Sequence, residues 1–137
     1  MADVFTRKKR SVIMSHIRSK NTKPEIAVRR LIREMGYSYR LHGKSLPGRP
    51  DLVLARYRRV VFVHGCFWHV HGGRCKRARP PRSRIDYWTP KLEANKQRDR
   101  LAAGRLRRSG WRVLIIWECQ LRHAEKLRRR IQRFMED

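Results

Sequence analysis

The chain has 137 residues, with 36 Lys and Arg against 11 Asp and Glu, a formal net charge of +25. Hydrophobic residues make up 40% of it, which excludes a disordered basic tail and fits one domain with its own core. The longest apolar run, residues 113–117, is far shorter than the ~18 residues of a membrane span, and no apolar stretch follows the charged N-terminus as in a secretory signal. Three cysteines, an odd number, argue against a disulfide framework. We expect a soluble, intracellular protein of one domain, residues 1–137.

The positive charge predicts a polyanionic partner. Self-repulsion among like charges destabilises a compact state, and neutralisation by phosphates relieves it. Nucleic acid is therefore the expected partner, and an Arg-rich composition without functional meaning is the alternative.

In chain order, the first predicted element is a helix that begins at Thr22-Lys23-Pro24-Glu25, a capping box with Pro in the first turn. Gly36 suits its C-terminus, and its apolar face has helical spacing: Val28, Leu31, Ile32 and Met35. Three strands are predicted at residues 37–42, 51–55 and 59–64. A basic loop at residues 72–87 follows.

A second helix is predicted from about Thr89-Pro90 to Gly110. The apolar run Trp111–Trp117 is typical of a strand covered on both faces. A final amphipathic helix carries Leu121, Ala124, Leu127, Ile131 and Phe134. The order helix, three strands, helix, strand, helix predicts an α/β sandwich on a mixed sheet.

Asp51 opens the apolar strand that follows Arg49-Pro50. A carboxylate at the start of a buried strand is costly unless something pairs with it, and Mg²⁺ is one such partner. A strand-entry cap or an ion pair with an arginine is the alternative.

A cluster of histidines and cysteines follows the third strand, from His64 to Cys75. This cluster supplies three zinc ligands: Cys66, Cys75 and either His69 or His71. Cys119, after the later apolar strand, completes a tetrahedron. Four protein ligands would make this zinc structural. Cysteines without a metal are the alternative.

Three aromatic residues stand in polar, basic surroundings: Phe67, Trp68 and Trp88. Aromatic side chains beside a basic surface suit stacking on bases or wedging between them. Burial of Phe67 and Trp68 over the zinc site is the alternative.

One face of the second helix combines polar and apolar residues at spacings of three and four: Leu92, Asn95, Asp99, Ala102 and Leu106. An amide and a carboxylate that face the protein body indicate hydrogen-bonded roles at a site. A salt bridge to an inward arginine is the alternative for Asp99.

Together these residues resemble the very-short-patch-repair (Vsr) family of DNA mismatch endonucleases. The resemblance covers roughly residues 10–120, and its motifs stand in family order: Met14-Ser15, Lys20 to Glu25, Gly48 to Asp51, His64 to His69, Arg98-Asp99-Arg100, Gly110 to Val113, and Trp117-Glu118-Cys119.

The resemblance implies a restriction-endonuclease-like core and a Mg²⁺-dependent nick in the thymine-containing strand of T:G mismatches, which arise when 5-methylcytosine deaminates. It implies two Mg²⁺ ions, held by Asp51 and the backbone carbonyl of Val63. His69 would be the general base, oriented by Asp99, with His64 and Glu25 assisting.

The same resemblance implies a structural Zn²⁺ on Cys66, His71, Cys75 and Cys119. Its implied DNA contacts are an N-terminal segment at residues 1–20 and, individually, Met14, Phe67, Trp68, Trp88, Lys91 and Asn95. The implied partners are duplex DNA with a T:G mismatch, a mismatch-repair protein of the MutL type and a companion cytosine-5 methyltransferase. A monomer in the bacterial cytoplasm, acting on the nucleoid, would suffice.

Two features depart from the family pattern. Val63 stands where the family usually has Thr, and the run from His71 to Cys75 is longer, so His69 and His71 both stay candidate zinc ligands. Two other functions compete with the mismatch endonuclease. One is a zinc-stabilised DNA-binding module without catalysis, and the other is a sequence-specific restriction endonuclease.

Overall fold

The computed structural model describes residues 21–66 and 85–137, with the backbone alone for residues 85–89. The helices and strands, in chain order, are α1 (Lys23–Glu34), β1 (Arg40–Leu41), β2 (Leu52–Leu54), β3 (Arg59–His64), α2 (Ile85–Arg108), β4 (Arg112–Trp117) and α3 (Ala124–Glu136). Two 3₁₀-helices, Ala55–Tyr57 and Glu118–Arg122, lie before β3 and before α3.

The four strands form one mixed sheet in the order β1-β2-β3-β4. β1, β2 and β3 pair antiparallel, whereas β3 and β4 pair parallel with His64 opposite Trp117. The parallel pair needs the long crossover that α2 provides. The predicted mixed α/β architecture is therefore confirmed over the described residues.

Helices cover both faces of the sheet. One face packs its apolar side chains against α1 and α3: Val28, Ile32, Leu52, Leu54, Val61, Val63, Leu114, Ile116, Leu127, Ile131 and Met135. The other face packs Val53, Val60 and Phe62 against Leu106 of α2. Strand residues alternate between these two cores, as the two-residue period of a strand requires. β4 contributes to both, since Leu114 belongs to the first core and Val113 packs against the second.

Helix α1 forms as its sequence predicts. The Thr22 hydroxyl accepts a hydrogen bond from the Glu25 N–H at 3.3 Å, and Met35 caps the C-terminus before Gly36, whose φ is +93°. The Glu25 side chain receives the N–H of Asn21 at 2.9 Å, so the reciprocal bond of the capping box comes from one residue earlier than usual.

Helix α2 begins at Ile85, so its predicted start at Thr89-Pro90 is wrong and the predicted loop 72–87 ends earlier than expected. Thr89-Pro90 has the residue types of a helix start, yet Pro90 lies inside the helix. A proline there removes one N–H, which leaves the carbonyl four residues earlier without its helical partner. Pro90 is exposed and sits in the second turn of the helix.

The predicted strands are confirmed: β3 has the predicted bounds, the other three are shorter than predicted, and Trp111 precedes β4. Leu121 belongs to the 3₁₀-helix that precedes the final helix. None of the helices in residues 21–66 and 85–137 is both long enough and apolar enough to span a membrane.

Candidate active site at the sheet edge

The topology brings three predicted site residues, Glu25, Asp51 and His64, to one edge of the sheet. β3 and β4 end there in register, at His64 and Trp117, and β2, which runs antiparallel to β3, begins there just after Asp51. Glu25, in the first turn of α1, lies beside Asp51. Carboxyl ends of strands are where α/β sheets commonly place ligands.

Asp51 is held by the backbone of β3. Its Oδ2 accepts a hydrogen bond from the Val63 N–H at 2.6 Å. Within a strand, the N–H and C=O of one residue face the same neighbour, so the Val63 carbonyl is directed to the side on which Asp51 lies. A carboxylate and a backbone carbonyl thus share this corner, which is the oxygen-donor set that Mg²⁺ accepts.

Burial raises the pKa of Asp51 from 3.8 to about 7. The Val63 N–H bond opposes this shift, whereas the charge of Glu25 and a hydrogen bond with its side chain add to it, and Arg29 lowers the pKa slightly. A hydrogen bond between two carboxyl groups requires a proton on one of them. The pair therefore favours a cation between its two members, either a proton or a metal ion.

Glu25 is the more buried carboxyl group of the pair, with 4% of its surface exposed. Arg29 donates to its Oε2 at 3.0 Å, and His42 Nε2 lies 3.5 Å from the same oxygen. The Arg29 Nη2 atom lies 3.2 Å from His42 Nε2. Glu25 is thereby fixed in orientation by a helix residue and a loop residue at once.

Sequence reasoning missed Arg29 and His42. The spacing of Glu25 and Arg29, four residues apart on a predicted helix, is a signal that could have found the arginine. His42 carries no such signal. It has a φ of +51°, and its N–H donates to the Asp51 carbonyl at 3.0 Å, so the loop between β1 and β2 brings it to Glu25.

The loop before β2 presents Asp51 through a close approach to α2. Gly48 has a φ of +74°, and a Cβ there would lie 2.6 Å from Ala102 Cβ and 3.2 Å from the Phe62 ring. Pro50 is fully buried, and its carbonyl accepts the Gly43 N–H at 3.0 Å. The segment from Gly48 to Asp51 therefore packs against α2 and so positions the Asp51 carboxylate.

His64 ends β3 with a buried ring between two aromatic neighbours. Its centroid lies 5.2 Å from that of Trp117, nearly perpendicular, and 5.6 Å from that of Phe62. Because Phe62 belongs to the core beneath α2, His64 shares that face of the sheet. The predicted assisting histidine is thus located at the edge that carries Asp51.

The mixed face of α2 is confirmed. Leu92, Asn95, Ala102 and Leu106 are buried, and Asp99 is half-buried. The Asn95 Oδ1 accepts a hydrogen bond from the Arg98 guanidinium. Lys91, half-buried, lies one turn before Asn95. The partner predicted for Asp99, His69, lies outside the described residues.

Two of the four predicted zinc ligands are described. Cys66 is buried and Cys119 is half-buried, and each lies two residues beyond one of the paired strand ends, His64 and Trp117. The other two, His71 and Cys75, lie outside the described residues. Within residues 21–66 and 85–137 there is no group of three or more His, Cys, Asp or Glu side chains that could hold a metal ion.

The remaining predicted DNA contacts are not described either. Met14 and the segment 1–20, Phe67 and Trp68 lie outside the described residues. For Trp88, the backbone belongs to α2, and the side chain lies outside the described part.

Comparison with known proteins places the chain among DNA-cutting enzymes. Residues 2–77 match the family described as DNA mismatch endonuclease Vsr. The chain is 45% identical to the DNA mismatch endonuclease Vsr of Escherichia coli, over 93% of this chain and 80% of that protein. It is 46% identical to a type II nicking enzyme of Xanthomonas oryzae, over 99% and 98% of the two chains.

A second type II nicking enzyme, from Neisseria meningitidis, is 40% identical over 100% of this chain and 96% of that protein. Among solved structures, the catalytic domain of a homing endonuclease superposes with a TM-score of 0.59 at 23% identity, covering 83% of this chain and 94% of that one. This likeness is one of fold, and it agrees with the mixed α/β architecture.

Proposed function

The chain belongs to the Vsr family of endonucleases, and from this membership we propose that it nicks the thymine-containing strand at T:G mismatches left by deaminated 5-methylcytosine. The observation that carries the proposal is the Asp51–Glu25 pair at the sheet edge. A binding module without catalysis has no need of two adjacent carboxyl groups, one of which has its pKa raised to about 7.

We assign catalytic Mg²⁺, two ions, to the corner formed by the Asp51 carboxylate and the Val63 carbonyl. Bound there, Mg²⁺ would supply the positive charge that offsets negative charge growing on the phosphate oxygens. Because this role of Val63 uses its carbonyl, a valine in place of the family's usual threonine is compatible with it.

We assign the other catalytic roles to side chains of the protein. His69 takes the proton from the attacking water, since an imidazole has a pKa suited to accepting a proton near neutrality. Asp99 orients His69 from α2. His64, its ring fixed between Phe62 and Trp117, and Glu25, fixed by Arg29 and His42, assist at the phosphate.

A structural Zn²⁺ would join the ends of β3 and β4. Its ligands are Cys66, His71, Cys75 and Cys119, and support comes from the equal offset of the two described cysteines from the paired strand ends. With His71 on zinc, His69 stays available as the general base. The competing set, with His69 on zinc, would remove that base.

Recognition of the mispair is assigned to side chains around the same edge. Phe67, Trp68 and Trp88 would insert beside the mismatch, Met14 would press from the minor groove, and Lys91 and Asn95 would contact the bases. A wobble pair stacks less well than a matched pair, so opening the helix there costs less, which favours mismatched sites.

The cellular setting follows from the same proposal. The enzyme would act as a monomer on the nucleoid, in the bacterial cytoplasm. A companion cytosine-5 methyltransferase would generate the methylated sites, and a mismatch-repair protein of the MutL type would be a further partner.

The experiment that tests the function is a nicking assay on duplexes with separate labels on the two strands. One duplex contains a T:G mispair and its control is fully matched, each with Mg²⁺ or chelator and with several flanking sequences. We expect a cut in the thymine strand only, dependent on both the mismatch and Mg²⁺. Binding without cutting in every context would favour the non-catalytic module, and cutting of both strands of matched DNA would favour a restriction endonuclease.

The zinc assignment has its own test. Metal analysis of the purified protein should give one zinc per chain, and Cys119→Ser should lose it. An unchanged zinc content in Cys119→Ser would contradict this ligand set. Zinc loss in His69→Ala but not in His71→Ala would select the competing ligand and overturn the assignment of His69 as base.

A further inference from the structure

A cavity of about 150 Å³ lies between the 3₁₀-helix Glu118–Arg122 and α3, outside the site described above. Six residues line it: Gln120, His123, Lys126, Leu127, Arg130 and Arg133. This volume corresponds to about five waters of the liquid, which is enough room for a phosphate group. Leu127 is the apolar member of the wall, and no carboxylate is among the six.

The cations of the wall have no carboxylate partner among the described residues. Among residues 21–66 and 85–137, the ion pairs of α3 use Arg128, which reaches Glu34 at 3.6 Å and Glu125 at 4.0 Å. Lys126, Arg130 and Arg133 form no ion pair with a described carboxylate. Three positive side chains around one cavity favour an anion inside it.

The Arg130 side chain is held in one orientation by a hydrogen bond to Gln120. Its guanidinium donates to Gln120 Oε1 at 2.9 Å, and the same oxygen accepts the Trp117 N–H at 2.9 Å. Burial lowers the pKa of Arg130, because removal from water disfavours its charged form. A bound anion would compensate for that lost hydration.

The cavity adjoins the sheet edge. Gln120 lies three residues after Trp117, whose ring contacts His64 at 5.2 Å between centroids. From there the lining residues follow α3, whose 13 residues span roughly 20 Å. Because one DNA strand presents a phosphate about every 3.4 Å of axis, a duplex held at the edge has phosphates on both sides of the one being cut, and the cavity begins at this edge, at Gln120.

We propose that this cavity binds a backbone phosphate of the DNA substrate, at a position that flanks the phosphate being cut. The occupant is named on the basis of the proposed function, whereas the preference for an anion rests on the cavity alone. The phosphate is held by three side chains, Lys126, Arg130 and Arg133. Gln120 orients Arg130 and is itself hydrogen-bonded to the end of β4 at Trp117. This contact would set the register of the enzyme on the backbone without reading sequence.

The test compares Lys126→Gln and Arg133→Gln with Arg107→Gln in the full-length protein. All three side chains are exposed, each substitution removes one positive charge, and Arg107 lies in the last turn of α2, away from the cavity. Affinity for a fully matched duplex is measured in chelator over a range of NaCl concentrations. Binding to matched DNA does not require mismatch recognition or cutting, so failure of the nicking assay and failure here are separable.

Each cavity variant should weaken binding several-fold and lower the slope of log K against log salt by about one, the effect of one lost phosphate contact. Arg107→Gln should leave the slope unchanged. Equal losses in all three variants would overturn the proposal, because the charge would then act through the general field. Unaltered DNA binding would also overturn it. Two further probes then identify the occupant, since weaker binding of polyglutamate by the variants would indicate an acidic protein segment and weaker binding of inorganic phosphate would indicate a free anion.

Discussion

At the scale of single residues, the site is organised around two neighbouring carboxyl groups, Asp51 and Glu25. Asp51 accepts a hydrogen bond from the Val63 N–H, and Glu25 accepts hydrogen bonds from Arg29 and from the Asn21 N–H, so neither carboxyl can turn away from the other without losing hydrogen bonds. A fixed pair of this kind is prepared for a cation before any cation arrives. Preorganisation of charge is the largest single contribution of many enzymes to rate.

Asp51→Asn should abolish nicking while leaving affinity for the mismatched duplex largely intact. The amide has nearly the shape of the carboxylate, but it lacks the charge that holds a divalent ion. A loss of at least about a thousandfold in the nicking rate is expected, the scale of removing one charge-stabilising group. Asp137→Asn, at the exposed C-terminus, is the matched control and should nick normally. Loss of binding together with nicking would mean that Asp51 is structural.

The raised pKa of Asp51 also predicts how stability varies with pH in chelator. The folded protein keeps the Asp51 proton up to about pH 7, whereas the unfolded chain releases it near 3.8. The folded state therefore binds more protons in this interval, and this contribution to the free energy of unfolding is fully present below pH 3.8 and is lost as the pH rises to about 7.

Urea denaturation at a series of pH values checks this prediction. The difference in stability between Asp51→Asn and the parent protein should shift in favour of the variant as the pH rises, because asparagine does not titrate. A difference that is constant from pH 4 to pH 8 would show that Asp51 titrates alike in the folded and unfolded states.

The residues that sequence reasoning found are those with a strong local signal. Asp51 stands at the start of an apolar strand, Glu25 belongs to a capping box, and Asn95 lies on an apolar helix face. His42 was missed because its role depends on a loop that turns through a left-handed residue and meets α1, a contact between segments that are distant in the chain.

At the scale of elements, the existence and type of each helix and strand follow from the sequence, and their bounds do so less well. The capping box fixes the start of α1, since it supplies partners for the first amides. Thr89-Pro90 offers the same residue types, yet α2 begins at Ile85. The residue types of a helix start show only that a helix can begin there. An earlier start places the proline inside the helix, and its free-energy cost depends on whether water can hydrogen-bond the carbonyl that the proline leaves without a partner.

The loop before β2 approaches α2 closely at Gly48, and Gly48→Ala should destabilise the protein by about 2–4 kcal/mol. The added methyl group would lie 2.6 Å from Ala102 Cβ, and φ is +74°. Gly36→Ala is the matched control, because its φ is +93° but nothing lies within 4 Å of the new Cβ. Gly36→Ala should therefore cost about 1–2 kcal/mol, the conformational part alone.

Urea denaturation of both glycine variants measures the two costs. A larger loss in Gly48→Ala than in Gly36→Ala is expected, and nicking should fall in Gly48→Ala because the loop also carries Asp51. Equal losses would mean that α2 yields to the methyl group and that the close approach is not essential.

At the scale of the whole molecule, the formal charge of +25 lowers the stability of the folded state as long as no polyanion such as DNA is bound. Described cations such as Lys126, Arg130 and Arg133 do not pair with described acids, so their mutual repulsion is relieved by counterions instead. The sequence predicted this property from composition alone, because net charge does not depend on how the chain folds.

Raising NaCl from about 0.05 M to about 0.5 M should therefore increase the melting temperature by several degrees, since screening shortens the range of the repulsion. Matched duplex DNA at low salt should raise it further, through binding to the folded state. Calorimetry at constant pH measures both effects. A melting temperature that is independent of salt would show that the charges are too well separated to destabilise the fold.

The direction of the helices has one more consequence. α1 begins beside Asp51, α3 begins just after the end of β4, and α2 runs back from this same side to the start of β4, so all three N-termini lie on the side of the sheet that carries Asp51. Each helix end adds about half a positive charge through its aligned peptide dipoles. These partial charges belong to the backbone, so no side-chain substitution removes them and no rotamer moves them. The positive potential that they add on this side of the sheet therefore persists in variants stripped of surface arginines.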